Sequence, residues 1–201
     1  MLIAPAGTLA GSPAAAAAPF AMTAEKLSTR EILRRNLQRK PPAGMGQLRL
    51  MLHDVRSMHN VGAAFRSADA FGVLELLLTG FTPVPPRPEI TKTALGADEH
   101  VDWRRFEETG EAVTLLREEQ SLLVAFEQTD RSVAMPELEL PAGRPVCLLF
   151  GNEVEGIPPT LLEEADRLVE IPQYGHKHSL NVSVTVGIAL YGILSLCWEH
   201  D

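Results

Sequence analysis

From residue 48 onward, short apolar runs alternate with segments of helical period, and this alternation limits the chain to very few folds. Strands are expected at 48–53, 74–79, 122–126, 146–150 and 168–171. Helices are expected at 61–71, 111–119, 160–165 and 180–199. Short apolar runs of four to six residues separated by helical segments imply an α/β fold, with a mostly parallel sheet covered by helices on both faces. Gly72 directly after the first of these helices suits a left-handed C-cap. The stretch 80–88 carries Pro83, Pro85, Pro86 and Pro88 and reads as a stiff loop.

Composition removes other classes. A chain of 201 residues with 45% hydrophobic and 22% charged residues is neither collagenous nor wholly disordered. Its two cysteines, Cys147 and Cys197, are too few and too far apart for a disulfide scaffold and suit a reduced, cytoplasmic protein. The formal charge of -8 is unevenly spread. Residues 1–50 carry seven basic side chains (Lys26, Arg30, Arg34, Arg35, Arg39, Lys40, Arg49) and two acidic ones, which gives +5 there and leaves -13 on the rest. Such asymmetry marks a basic arm on an acidic body, or simply a solvated helix. Residues 1–22 are an uncharged Ala/Pro-rich extension, expected to be disordered; they lack the basic start of a secretory signal, and Met22 offers a second start. Residues 23–46 read as a basic helical arm, with its helix at 28–38, and a Pro/Gly linker. The globular domain is 47–201. Within it, residues 182–198 are almost continuously apolar, but seventeen residues are short for a membrane crossing of about 20. A helix apolar on nearly every face instead fits burial between a sheet and a partner subunit, so no membrane association is expected.

Three segments hold more glycine and polar residues than a core element tolerates without a reason. The first is NVGAAFRSADAFGV, residues 60–73. There Asn60 can cap a helix, and Gly62 lets a backbone or ligand approach its first turn. Arg66 interrupts an otherwise small and apolar helix and needs a partner or a task; a snorkelling arginine in a structural ion pair is the plainer reading. The second is LLFGNEVEGI, residues 148–157, an apolar strand that runs into a glycine-rich turn before Pro158 and Pro159. Ligands of open α/β sheets sit beyond such strand ends. No Gly-Lys-Ser/Thr follows and the GxGxxG spacing is absent, so this is neither a phosphate loop nor a dinucleotide fingerprint. The third is IPQYGHKHSLNVSVTVGIALY, residues 171–191, a strand end, a polar loop and the start of the long apolar helix, where Ser179 could be a cap. His176, Lys177 and His178 lack a further ligand at metal spacing, so no metal is expected, and contact with a phosphate suits them better.

In this order and spacing the three segments resemble the motifs of the SpoU (TrmH-like) branch of the SPOUT RNA methyltransferases. Asn60, Gly62 and Arg66 match the first motif, Gly151, Asn152, Glu153 and Gly156 the second, and Ser179 through Ser183 the third. ITKTALGAD, residues 90–98, is similar to the family's connecting region. The resemblance runs from about residue 48 to 198 and includes no departure at a motif position.

The resemblance implies a deep C-terminal trefoil knot, which physical rules alone would not suggest. It also implies a homodimer, and methyl transfer from S-adenosylmethionine to a ribose 2′-hydroxyl of tRNA or rRNA. The family's activating role falls to Arg66; since arginine stays protonated, holding the adjacent phosphate and stabilising alkoxide charge suits it better than acting as a base. Asn60, Glu153, Ser179 and Asn181 would orient Arg66 and the ribose. The cofactor pocket would be built near Gly151, Asn152, Gly156, Ile171 and Leu180, with Glu127 a further candidate. Two alternatives share the fold. A non-catalytic RNA-binding protein would not need Arg66, Glu153, Ser179 and Asn181 together, and the base methyltransferases lack the NxGxxxR and SLNVS strings.

Overall fold

The structure, a computed structural model, describes residues 24–40, 42 and 47–198. The chain forms two compact units, divided after Arg39. The 1–22 extension lies outside the described residues. The described part of the first unit is helix α1 (Thr29–Gln38), capped by Ser28 in a reciprocal box: Glu31 N–H donates to Ser28 Oγ (3.3 Å), and Ser28 N–H donates to Glu31 Oε2 (2.9 Å). Every residue of α1 is exposed.

The second unit is a seven-stranded sheet, parallel at every pairing. Its strands are β1 (Leu48–His53), β2 (Glu75–Thr79), β3 (Asp102–Phe106), β4 (Leu122–Phe126), β5 (Val133–Ala134), β6 (Val146–Phe150) and β7 (Arg167–Glu170), in the order β3-β2-β1-β6-β4-β7-β5. Helices α2 (Met58–Phe71), α3 (Pro88–Ala94), α4 (Thr109–Glu118), α5 (Pro159–Leu162) and α6 (Val182–Trp198) complete it. The strand periodicity of two sorts the core into two layers. Leu50, Leu76, Val124 and Leu148 pack with α2 and α6, whereas Met51, Leu77, Ala125 and Leu149 pack with α4 and α5.

The three central runs, 48–53, 122–126 and 146–150, form strands at the expected bounds. Other expectations shift by a few residues. β2 starts at Glu75, β7 spans Arg167–Glu170, α4 starts at Thr109, and α5 ends at Leu162. Helix α6 starts at Val182 rather than 180; residue 199 lies outside the described residues. Strands β3 and β5 and helix α3 are further elements, beyond those expected. β3 is an edge strand of sequence DWRRF and half-exposed, so no apolar run marks it. Gly72 takes the left-handed C-cap expected of it (φ 67°).

Two expectations change meaning. Gly62 admits a backbone rather than a ligand: α3 crosses α2 so closely that a Cβ at residue 62 would run into Thr93 Oγ1 and the Ile90 carbonyl. Arg49 is no part of a basic arm. It lies 5% exposed in β1, with Nε 3.3 Å from Glu75 Oε2 and Nη2 2.7 Å from Glu119 Oε2. No helix among the described residues is long and apolar enough to cross a membrane.

Candidate active site

The loops that leave β1 and β6 run to opposite faces of the sheet, β1 into α2 and β6 into α5. Adjacent strands whose connections diverge open a crevice at their carboxyl ends. Glu153, in the loop after β6, reaches across it. Its carboxylate accepts three hydrogen bonds of 3.0 Å, from the main-chain N–H groups of Arg56 and Ser57 and from Asn60 Nδ2. Burial alone would push the Glu153 carboxyl up, but these donors outweigh it and hold the carboxyl below its ordinary value. Asn60 Oδ1 in turn accepts from Asn181 Nδ2 (3.1 Å), and Asn181 Oδ1 accepts from Ser183 N–H (2.9 Å) and Ser183 Oγ (2.6 Å). Residues far apart in sequence thus form one polar chain, Glu153–Asn60–Asn181, that ties all three motif segments together.

The α2 cap is Ser57, whose Oγ accepts from Asn60 N–H (3.3 Å), not Asn60. That frees the Asn60 amide for Glu153 and Asn181. A serine directly before the helix is itself the sequence signal for this cap.

The loop 151–157 is a closed turn. Asn152 and Gly156 exchange main-chain hydrogen bonds of 3.0 Å, while Asn152 Oδ1 accepts from Val154 and Glu155 N–H. Asn152 Nδ2 donates to the Asp54 carbonyl (2.7 Å) and pins the turn to the end of β1. Gly156 sits at φ 70°, and a Cβ there would strike the Glu127 carboxylate. Glu127 accepts Ile157 N–H and Gln128 N–H, both at 3.0 Å, so its oxygens fix the loop. Gln128 Nε2 donates to the His178 carbonyl (3.0 Å) and links the strand end to the third motif; no sequence signal singled it out.

Over the ends of β4, β6 and β7 these loops enclose a cavity of about 690 Å³. Nine of the eleven expected site residues line it: Glu127, Gly151, Asn152, Glu153, Gly156, Ile171, Ser179, Leu180 and Asn181. Asn60 reaches it through Glu153 and Asn181. Ser179 is exposed and has no hydrogen-bond partner among the described residues; Asn181 takes up the capping contacts instead. Arg66 stands apart. It is exposed on α2 and, among the described residues, has no ion pair or hydrogen bond, so the structural ion-pair reading is wrong. His176, Lys177 and His178 are exposed, and no group of three His, Cys, Asp or Glu among the described residues could hold a metal ion.

Residues 47–191 match the SpoU rRNA Methylase family. The chain is 31% identical over 169 residues to the 23S rRNA (guanosine-2′-O-)-methyltransferase RlmB of Coxiella burnetii, covering 84% of this chain and 65% of that protein. It is 33% identical over 144 residues to the tRNA (guanosine(18)-2′-O)-methyltransferase of Escherichia coli K12, covering 72% and 61%. The AdoMet-bound rRNA methyltransferase from Sinorhizobium meliloti superposes with a TM-score of 0.70 at 30% identity, over 81% of this chain and 62% of that one. The chain therefore spans about six-tenths of the length of such relatives. Parallel topology, three motif segments joined through Asn60, and a family match across most of the globular unit lead to one assignment: the chain belongs to the SpoU rRNA methylase family.

Proposed function

We propose that this chain methylates a ribose 2′-hydroxyl of tRNA or rRNA, with S-adenosylmethionine as the methyl donor. The observation that carries the reading is the Glu153–Asn60–Asn181 chain beside the strand-end cavity, because it joins the three motif segments at the place where an α/β sheet binds ligands.

The cavity fits the donor. Its volume is within the range of small-molecule pockets. Phe126, Val169, Ile171 and Leu180 provide apolar walls, and Glu155 and Glu170 add negative charge suited to a cation. When bound, the donor supplies an electrophilic methyl group on a sulfonium. The work left to the chain is alignment of the ribose oxygen and stabilisation of the charge it develops as its proton leaves to a phosphate oxygen or water. Arg66, permanently cationic, holds the neighbouring phosphate and the developing alkoxide. Asn60 and Asn181 are held in single orientations by Glu153 and Ser183, and so can direct the ribose.

Arg66 comes to this site in a homodimer. On α6, Val184 and Ile188 are 49% and 40% exposed and, with Tyr191, form a stripe at helical spacing that starts beside cavity-lining Leu180. Gly187 of α6 faces Ser67 of α2, the residue that follows Arg66. A second copy docked there buries the stripe and brings each Arg66 toward the other copy's cavity mouth. The insertion of β6 between β1 and β4, followed by the return of the chain through α6 onto α2, supports a trefoil knot. Residues 23–46 act as a basic RNA-binding arm on the 47–201 domain.

The decisive experiment is mass-spectrometric mapping of ribose methylation in total RNA from cells with and without the gene, alongside calorimetry of S-adenosylmethionine with the purified chain. Loss of a 2′-O-methyl signal and stoichiometric binding are expected. An unchanged methylation map together with no binding refutes the reading.

A further inference from the structure

We propose that a second cleft, over the ends of β1, β2 and β3, receives an unpaired nucleobase of the RNA substrate, with Phe81 as its stacking face. The proposal rests on the RNA methyltransferase reading above and adds a site to it.

The cleft has a volume of about 870 Å³ and lies between α4 and α5, apart from the motif-lined cavity. At its rim Phe81 is 81% exposed. An aromatic ring held in water contributes nothing to folding, yet the backbone beneath it is fixed at some expense. Phe81 N–H donates to Asp54 Oδ1 (2.7 Å), and Asp54 itself adopts a left-handed backbone (φ 54°), unusual for a residue with a side chain. Gly80 is left-handed as well (φ 61°), and a Cβ there would run into the Asp54 carboxylate. The fold thus presents the ring rather than packing it.

The lining indicates which part of a nucleotide fits. Four carboxylates (Asp54, Glu107, Glu108, Glu164) face the cleft against two guanidinium groups, and one of these, Arg117, is already paired with Glu164 at 2.9 Å. That surplus of negative charge rejects a phosphate and accepts a flat, neutral group with N–H donors. His53 adds a polar wall, with Nδ1 3.0 Å from Thr79 Oγ1 and 3.1 Å from Thr109 Oγ1 and Nε2 3.4 Å from Asp54 Oδ2. A π face and carboxylate acceptors match a nucleobase edge, and stacking on an exposed aromatic is how single-stranded bases are held. The cleft is also coupled to the motif loop, since the Asp54 carbonyl accepts Asn152 Nδ2 at 2.7 Å. A base in this cleft would therefore bear on a segment tied directly to the motif loop.

The test uses the full chain and its Phe81→Ala, Phe81→Tyr and Phe81→Trp variants. Because Phe81 is exposed, none should lose its fold. With methyl-accepting RNA, Phe81→Ala should raise KM for RNA on the order of tenfold to a hundredfold, with kcat at saturating RNA and S-adenosylmethionine affinity within about twofold of wild type, and Phe81→Tyr should restore KM. Phe81→Trp fluorescence should be quenched by mixed-sequence single-stranded RNA and not by abasic RNA or inorganic phosphate. If the wild-type chain methylates RNA but Phe81→Ala leaves KM unchanged, or if abasic RNA quenches equally, the cleft proposal alone is overturned. If the wild-type chain neither binds nor methylates RNA, the functional reading falls and this site falls with it.

Discussion

Replacing Glu153 with glutamine tests the junction that unites the three motif segments. The carboxylate receives Ser57 N–H and Asn60 Nδ2 on one oxygen and Arg56 N–H on the other. An amide oriented to serve the first oxygen turns its NH2 toward Arg56 N–H, so one donor loses its acceptor and the remaining two lose their ionic partner. Glu153 and Arg56 are exposed, so water replaces the lost acceptor and the cost is the net worth of a hydrogen bond, about 0.5–1.5 kcal/mol. For a domain of this size the melting temperature should fall by roughly 1–6 °C. The pH dependence has a definite sign. A carboxyl whose folded pKa is depressed stabilises the fold above its unfolded value of about 4.3, and that contribution disappears as pH falls through the folded value. The wild-type advantage over Glu153→Gln should therefore hold from neutral pH down to about pH 5 and shrink below it. Scanning calorimetry of both proteins across that range measures the gap. A gap that persists undiminished in acid, or no gap at neutral pH, would refute the reasoning.

Arg66→Ala should leave the melting point nearly unchanged, because the side chain is exposed and unpaired among the described residues, while methyl transfer is abolished and S-adenosylmethionine binding by calorimetry stays close to normal. Arg66→Lys should be nearly as inactive, since an ammonium lacks the planar two-donor fork. Gly156→Ala forces a side chain into a left-handed position against Glu127, so it should cost about 1–3 kcal/mol and weaken cofactor affinity in a direct binding assay. Ile188→Glu places a charge in the exposed stripe of α6 and should shift sedimentation from dimer to monomer with secondary structure retained; an unchanged sedimentation coefficient would remove α6 as the contact. Deleting residues 1–42 should flatten the salt dependence of RNA affinity, by about 0.9 in the log–log slope per lost duplex phosphate contact and about 0.7 for single strands.

Much of this molecule is decided by local pattern. The runs at 122–126 and 146–150 read as buried parallel strands because each is apolar on both faces and too short for a helix, and 48–53 reads the same way through Leu48, Leu50, Met51 and Leu52 despite Arg49. Glycine and asparagine at strand ends, where a core gains nothing from them, marked the turns that line the cavity. Local pattern could not show which side chains meet. Asn60, Glu153 and Asn181 are separated by 93 and 121 residues in their pairings, and nothing in their spacing says that one carboxylate collects the N–H groups at the start of α2. Among its small and apolar neighbours Arg66 reads either as a snorkelling partner in a structural ion pair or as a functional group; only the packing of α2 shows it on the outward face. Strand β3 and the Phe81 rim were equally hidden, for an edge strand and an exposed loop owe their form to the elements beside them. Periodicity is carried by neighbours in sequence and can be read there, whereas a site is carried by neighbours in space, brought together by the order in which the strands pair.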